Sequence, residues 1–328
     1  MSAPEKLELL KSGFTMMVDN LRDQDRMAIV TYAGSAGVLL ESTPVEDTKV
    51  IKKAIGKLGA GGSTAGAEGI TTAYEIAAEN FIEGGNNRVI LGTDGDFNVG
   101  PSTSEELIEL IEEKRESGIY LTVLGVGTGN LNDHMMEQIA NKGNGNYEYI
   151  DNIDQLKKVF VYERSKFYTV AKDSKIQVTF DSTAVEQYRL IGYENRSLES
   201  EDFENDTTDA GEIGSGQTIT ALYEIIPTGT GTSFARFDFR YKLPGHDDSR
   251  LLQLPVSGPV KEMTAASENM RFATAVTAFG LLTRESEYKG IADKQMVTDL
   301  ANGSRSFDPD GWREEFVELV EDFTPQTY

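Results

Sequence analysis

Apolar residues recur at helical spacing from the start of the chain, at Leu7, Leu10, Phe14, Met17 and Leu21, and predict an opening helix. Ser2-Ala3-Pro4-Glu5 reads as its capping box, with an early proline. Arg26 to Tyr32 reads as a strand and Val38 to Leu40 as another, and Val50, Ile51, Ala54, Ile55 and Leu58 mark one face of a second helix. The loop Gly59 to Gly66 leads into a helix carrying Ile70, Ala73, Tyr74, Ala77 and Phe81. A strand Val89 to Thr93 follows, then a helix from about Ser104 to Ser117, and a continuous apolar strand Tyr120 to Val126. The pattern continues with a short helix His134 to Asn141, a strand Tyr147 to Ile150, and a helix from Ile153 toward Arg164. Strands without polar alternation, separated by helices of this length, imply a parallel sheet covered on both faces. The expectation for this part is an α/β, open, doubly wound, mostly parallel sheet.

Beyond Phe167 the period changes. Ile176, Val178 and Phe180 alternate, as do Ile219, Ala221, Tyr223 and Ile225, and Phe237, Phe239, Tyr241 and Leu243. That period belongs to antiparallel strands with one buried face. The acidic, glycine-broken stretch Glu199 to Gly216 reads as a long loop. Helical spacing returns from Thr264, with Phe272, Val276, Phe279 and Leu282, and later with Phe316, Leu319, Val320 and Phe323. Three parts are expected: residues 1–165, an antiparallel β-rich part 166–262, and a helical end 263–328 packing with the preceding parts.

Composition narrows the partners. Among 328 residues, 54 acidic and 31 basic side chains give a formal net charge of -23. Nucleic acid is disfavoured, because a phosphate backbone needs clustered Lys and Arg, and an anionic membrane surface is disfavoured on the same ground. No cysteine occurs, so disulfides and thiolate chemistry are excluded. The sequence has no apolar run long enough to span a bilayer and no basic-then-apolar signal layout at its start. His134 and His246 lie in polar stretches with no nucleophile elbow near them, so both are expected at the surface, and no enzyme chemistry is indicated.

The chemistry concentrates at Thr93-Asp94-Gly95-Asp96-Phe97-Asn98-Val99-Gly100, where a strand runs into a carboxylate-bearing turn. In an open α/β sheet, ligands sit outside the carboxyl ends of the strands. Phosphate loops fail as an alternative: Gly59 to Gly66 follows a helix and lacks Gly-Lys-Ser/Thr, and Gly125-Val126-Gly127-Thr128-Gly129 lacks the third glycine. Asp94, Asp96, Asn98 and Glu105 occupy EF-hand positions, but Val99 stands where the turn needs glycine, and Glu105 fits better as a helix start. Thr64 and Asp94 both fall where strands hand over to helices, so they could converge on a hard cation such as Mg²⁺. Their plainer roles are a helix cap for Thr64 and a turn former for Asp94.

Taken in order, the stretch from Lys6 to about Arg164 resembles the von Willebrand factor type A domain. Gly61-Gly62-Ser63-Thr64-Ala65-Gly66 is similar to the family's threonine loop, and the run from Thr93 to Gly100 to its aspartate turn. Asp209-Ala210-Gly211-Glu212-Ile213-Gly214, Thr220 to Glu224, Arg271-Phe272-Ala273, Phe279 to Leu282 and Asp308 to Arg313 resemble the companion region of a bacterial group of these proteins. The resemblance implies a non-enzymatic protein-binding module with a metal-ion-dependent adhesion site. There Mg²⁺ is held by a D-x-S-x-S motif, a threonine and an aspartate, here Thr64 and Asp94, and a carboxylate from a protein partner completes it. Members of the group often resemble exported lipoproteins, which implies the cell envelope; a metal-free scaffold is the alternative, and an uncharacterised enzyme the remaining one. The D-x-S-x-S motif does not occur in this sequence. In the family it precedes the helix that here begins at Ser2, so the expectation is a chain starting just downstream of it, without the first strand and with an incomplete site. An in-frame strand ending in D-x-S-x-S upstream of Met1 is what that expectation requires.

Overall fold

The computed structural model describes residues 4–32, 37–61, 66–95, 104–127, 132–193 and 198–324. In order these form α1 (Pro4–Asn20), β1 (Arg26–Thr31), β2 (Gly37–Pro44), α2 (Thr48–Gly56), α3 (Gly66–Glu79), β3 (Asn87–Thr93), α4 (Ser104–Arg115), β4 (Ile119–Val126), α5 (Asp133–Lys142), β5 (Tyr147–Ile150) and α6 (Ile153–Lys157). There follow β6 (Thr169–Phe180), β7 (Val185–Ile191), β8 (Gly211–Gly214), β9 (Leu222–Pro227), β10 (Ser233–Lys242), β11 (Ser249–Ser257), α7 (Glu268–Thr283), α8 (Lys294–Asn302) and α9 (Trp312–Asp322). The chain groups into two compact units, one of Met1–Gln177, Leu198–Ile219 and Asp238–Leu252, the other of Val178–Ser197, Thr220–Phe237 and Gln253–Tyr328.

In the first unit β3, β4 and β5 form a parallel sheet in that order, and β1 and β2 form a separate antiparallel pair. β4 is central, and its alternate residues serve opposite faces. Leu121 and Val123 enter one apolar cluster with Ile70, Leu107, Ile111 and Ile139 from α3, α4 and α5. Leu124 and Val126 enter another with Leu10, Leu156 and Phe160. Each such fully buried side chain contributes about 1.5–3 kcal/mol, which is why the continuous apolar run from Tyr120 needs helices on both sides. Asn152 starts α6, its side-chain oxygen accepting from the backbone N–H of Asp154 and Gln155 at 2.9 Å each. The helix expected to run on toward Arg164 stops at Lys157 and passes through a wider π turn, Lys158–Tyr162, into a 3-10 turn, Arg164–Phe167. The wider turn lets Val159 and Phe160, neighbours in sequence, both face the core.

The acidic stretch Glu199 to Gly216 is not one long loop. It holds a 3-10 turn at Ser200–Phe203 and the strand β8, which pairs antiparallel with β6 through Thr169 with Gly214, Ala171 with Ile213 and Ser174 with Gly211. Cations pin it. Lys175 Nζ, on a residue only 2% exposed, donates to the carbonyls of Asp202 and Asn205. Lys242 Nζ donates to the Asp206 carbonyl at 2.7 Å, and Arg115 pairs with Asp209 at 2.8 Å. β6 also departs from the expected face, because Ile176 is exposed and Lys175 is buried. Asp173 takes a positive φ of 47° where the β6–β8 register shifts.

A four-stranded sheet has the order β11-β10-β6-β8. In the second unit β7 pairs antiparallel with β9, from Val185 opposite Pro227 to Ile191 opposite Leu222. The Phe180 ring stacks on Tyr188 there at 4.2 Å. α7, α8 and α9 enclose Ala275, Ala278, Val297, Ala301, Val317 and Val320. β7, β11 and α8 have no counterpart among the elements expected from the pattern. No described helix is long and apolar enough to cross a membrane.

Candidate functional site

β3 carries the site to its place. Thr93, its last residue, is 1% exposed, and Gly95 takes φ +88°, so the chain turns sharply just after Asp94. Asp94 thus stands at the carboxyl end of the sheet with its side chain 11% exposed. The Gly95 N–H donates to Thr93 Oγ1 at 3.3 Å and closes the turn.

The facing cation comes from α1. Gly92 lets α1 approach the sheet, since a Cβ there would lie 2.8 Å from Leu10 Cδ1. One helical turn before Leu10 stands Lys6, and its Nζ donates to Asp94 Oδ2 at 3.1 Å. Its stem passes over Gly127, at the end of β4, where a Cβ would meet Lys6 Cε at 2.5 Å. Two glycines therefore shape the seat of this lysine. Burial raises the Asp94 carboxyl, and the hydrogen bond and charge from Lys6 act in the other direction.

Tyr32 closes the site from the β1 side, its hydroxyl donating to the Gly92 carbonyl at 2.6 Å. Burial first, helped by the Asp94 charge and opposed by a hydrogen bond with Thr93, pushes that phenol up to about 12. The hydroxyl therefore stays protonated at physiological pH.

Of the two residues expected to bind metal, Asp94 lies at the strand end as expected, and Thr64 lies outside the described residues. Asp96 and Asn98 lie outside them too, and Glu105 is exposed in the first turn of α4. Among the described residues no three His, Asp or Glu side chains gather to hold a metal ion. These residues supply one oxygen ligand of the hard kind that Mg²⁺ takes, already paired with an ammonium. His134 and His246 are both exposed. Lys6 escaped sequence reasoning: 88 positions separate it from Asp94, and nothing in the local pattern joins them.

A parallel sheet wrapped by helices, with an aspartate turn at its carboxyl end, defines the class. Residues 2–161 match the von Willebrand factor type A domain, and residues 165–238 and 231–325 match the family described as "Uncharacterized protein YfbK, C-terminal". The chain belongs to the von Willebrand factor type A family, a family of protein-interaction modules, with this companion region following the domain. It is similar to "Uncharacterized protein YfbK" of Escherichia coli, 40% identical over 98% of this chain and 59% of that one. It is also similar to "Uncharacterized protein sll0103" of Synechocystis, 28% identical over 45% of this chain and 34% of the other. The chain thus spans a little over half of the first relative and about a third of the second. Among solved structures, a von Willebrand factor type A protein from Catenulispora acidiphila shares the fold, with TM-score 0.51 and 17% identity over 96% of this chain and 77% of that one.

Proposed function

We propose that this protein is a non-enzymatic protein-binding module that presents the Asp94 end of its parallel sheet to a partner. In this reading Asp94 and Thr64 hold a divalent cation, Mg²⁺ by the hardness of their oxygens, and a carboxylate of the partner protein completes its coordination. The observation that carries the reading is a largely enclosed carboxylate at a strand end that faces a positive charge, the Lys6 ammonium. Such a group is suited to a cation. A location in the cell envelope belongs to the same proposal and rests on family resemblance.

One observation favours a second reading. Lys6 already gives Asp94 a tethered positive charge, and a metal-free scaffold would need no more. Calorimetric titration of Mg²⁺ into the wild-type protein, Asp94→Ala, Thr64→Ala and Lys6→Ala separates the two. The cation reading expects wild-type binding, a loss of tenfold or more in Asp94→Ala and in Thr64→Ala, and binding at least as tight in Lys6→Ala. Unchanged affinity in Asp94→Ala would overturn it. Absence of binding in both wild type and Lys6→Ala would establish the metal-free scaffold.

A further inference from the structure

At the other end of β3, away from Asp94, the first unit encloses a polar cluster that the binding site does not use. Arg88, the second residue of β3, donates through Nη1 to Thr122 Oγ1 at 2.7 Å and through Nη2 to the Phe167 carbonyl at 2.9 Å. Its guanidinium lies 5.5 Å from the centres of the Tyr120 and Phe167 rings. Burial draws the Arg88 pKa down to about 10, with Tyr120 and Glu212 among the neighbours that oppose the shift. Glu212 belongs to β8. Its Oε1 is sealed from solvent and has no hydrogen-bond partner among the described residues, and Arg88 Nε is in the same state.

The strand that carries Glu212 is tied at both ends. After it, Ser215 N–H donates to the Tyr168 carbonyl at 2.8 Å, and a Cβ on Gly214 would lie 1.8 Å from the Lys166 carbonyl oxygen. Before it, Asp209 is held by Arg115. Glu212, half-buried as a residue, therefore keeps Oε1 in the interior while β8 holds its register on β6. The charged and titratable groups around it come from every neighbouring element: Arg88 of β3, Tyr120 of β4, Arg115 of α4, Lys172 and Asp173 of β6, and Asp209 of its own segment.

We propose that Glu212 is a proton-operated latch: as the neutral acid it lets β8 stay docked on β6 and the Arg88–Tyr120 face, and on ionising it loosens the segment Leu198–Ile219. A buried carboxylate oxygen with no donor pays the full desolvation penalty, and the neutral acid largely escapes it. Burial, with Asp209 and Asp173 adding to it, pushes the Glu212 carboxyl up to about 8, while Arg115 and Lys172 act in the other direction. The ordinary value is 4.5. Because the docked value is the higher one, docking is fully stabilised below pH ~4.5, weakens as pH rises, and loses this contribution through pH ~8.

Hydrogen exchange of the full chain, read on peptides from Leu198–Ile219 and corrected for the chemical exchange rate, tests the latch. Linkage between the two pKa values expects protection of the β8 amides to fall about thirtyfold between pH 6.5 and 9.0 in the wild type. Glu212→Gln, neutral at every pH, should hold it level, with β4 peptides unchanged in both proteins. A parallel response of wild type and Glu212→Gln would overturn the proposal. Should Glu212→Gln not fold, the side-chain carboxyl of Glu212 can be titrated by NMR in ¹³C-labelled wild type. A midpoint near 8 supports the latch and one in the ordinary carboxylate range overturns it.

Discussion

Replacing Lys175 with methionine keeps the aliphatic stem and removes the ammonium that holds the acidic segment. The residue is 2% exposed, and its Nζ donates to two carbonyls, of Asp202 at 3.1 Å and of Asn205. A hydrogen bond from a charged donor is worth about 1.5–3 kcal/mol, so the pair amounts to about 3–6 kcal/mol. Burial opposes this: it holds the lysine pKa below its ordinary value even though Asp173 and Asp206 act the other way. Relief of burial returns part of the loss, which leaves a net destabilisation of about 2–4 kcal/mol. With two compact units, a single unfolding transition is not the right readout. Hydrogen exchange at fixed pH is, because it resolves the segment. The expected outcome is at least about thirtyfold faster exchange across Leu198–Ile219, taking 1.4 kcal/mol per factor of ten, with α7 to α9 unaffected. Unchanged exchange in that segment would refute the clamp.

Three further outcomes follow from local geometry. A Cβ at Gly145 would lie 1.7 Å from the Leu121 carbonyl oxygen, in the backbone of the central strand. Gly145→Ala should therefore destabilise the first unit by about 3 kcal/mol or more, read by hydrogen exchange of β4 peptides, whereas Gly56→Ala, with nothing within 4 Å, should be neutral or stabilising by up to ~1 kcal/mol. Asn152→Ala removes the acceptor for two N–H groups and should lower local stability by about 1 kcal/mol in hydrogen exchange of α6 peptides; an effect below the error would remove the cap from the account of α6.

The parallel sheet was legible because β4 and most of β3 are apolar runs set between helical patterns, and the ends of β3, β4 and β5 fall within a residue or two of the expected ones. The acidic stretch was not. Its one strand is four residues between glycines, Gly211–Gly214, and the cations that order it lie elsewhere in the chain, on α4, β6 and β10. Alternation puts Ile176 inward, whereas the buried residue is its neighbour Lys175, whose place depends on the carbonyls of Asp202 and Asn205 far along the chain. β11 escaped notice because its leucines at 251, 252 and 254 are all exposed and show no one-sided period. At the site, residue type and strand end located Asp94, and only the fold could supply Lys6.

Position 92 has a consequence that core packing alone does not suggest. It sits on β3 beneath Leu10, whose side-chain end a Cβ would meet at 2.8 Å, so a side chain larger than alanine would displace Leu10 and with it α1. Leu10 and Lys6 share one helix, and the displacement would carry the ammonium off Asp94 along with the leucine. The interior of the sheet thereby sets the length of a lever whose far end is an ionic contact at the rim. Freedom to vary residue 92 is limited by electrostatics two residues away as much as by the space the glycine leaves.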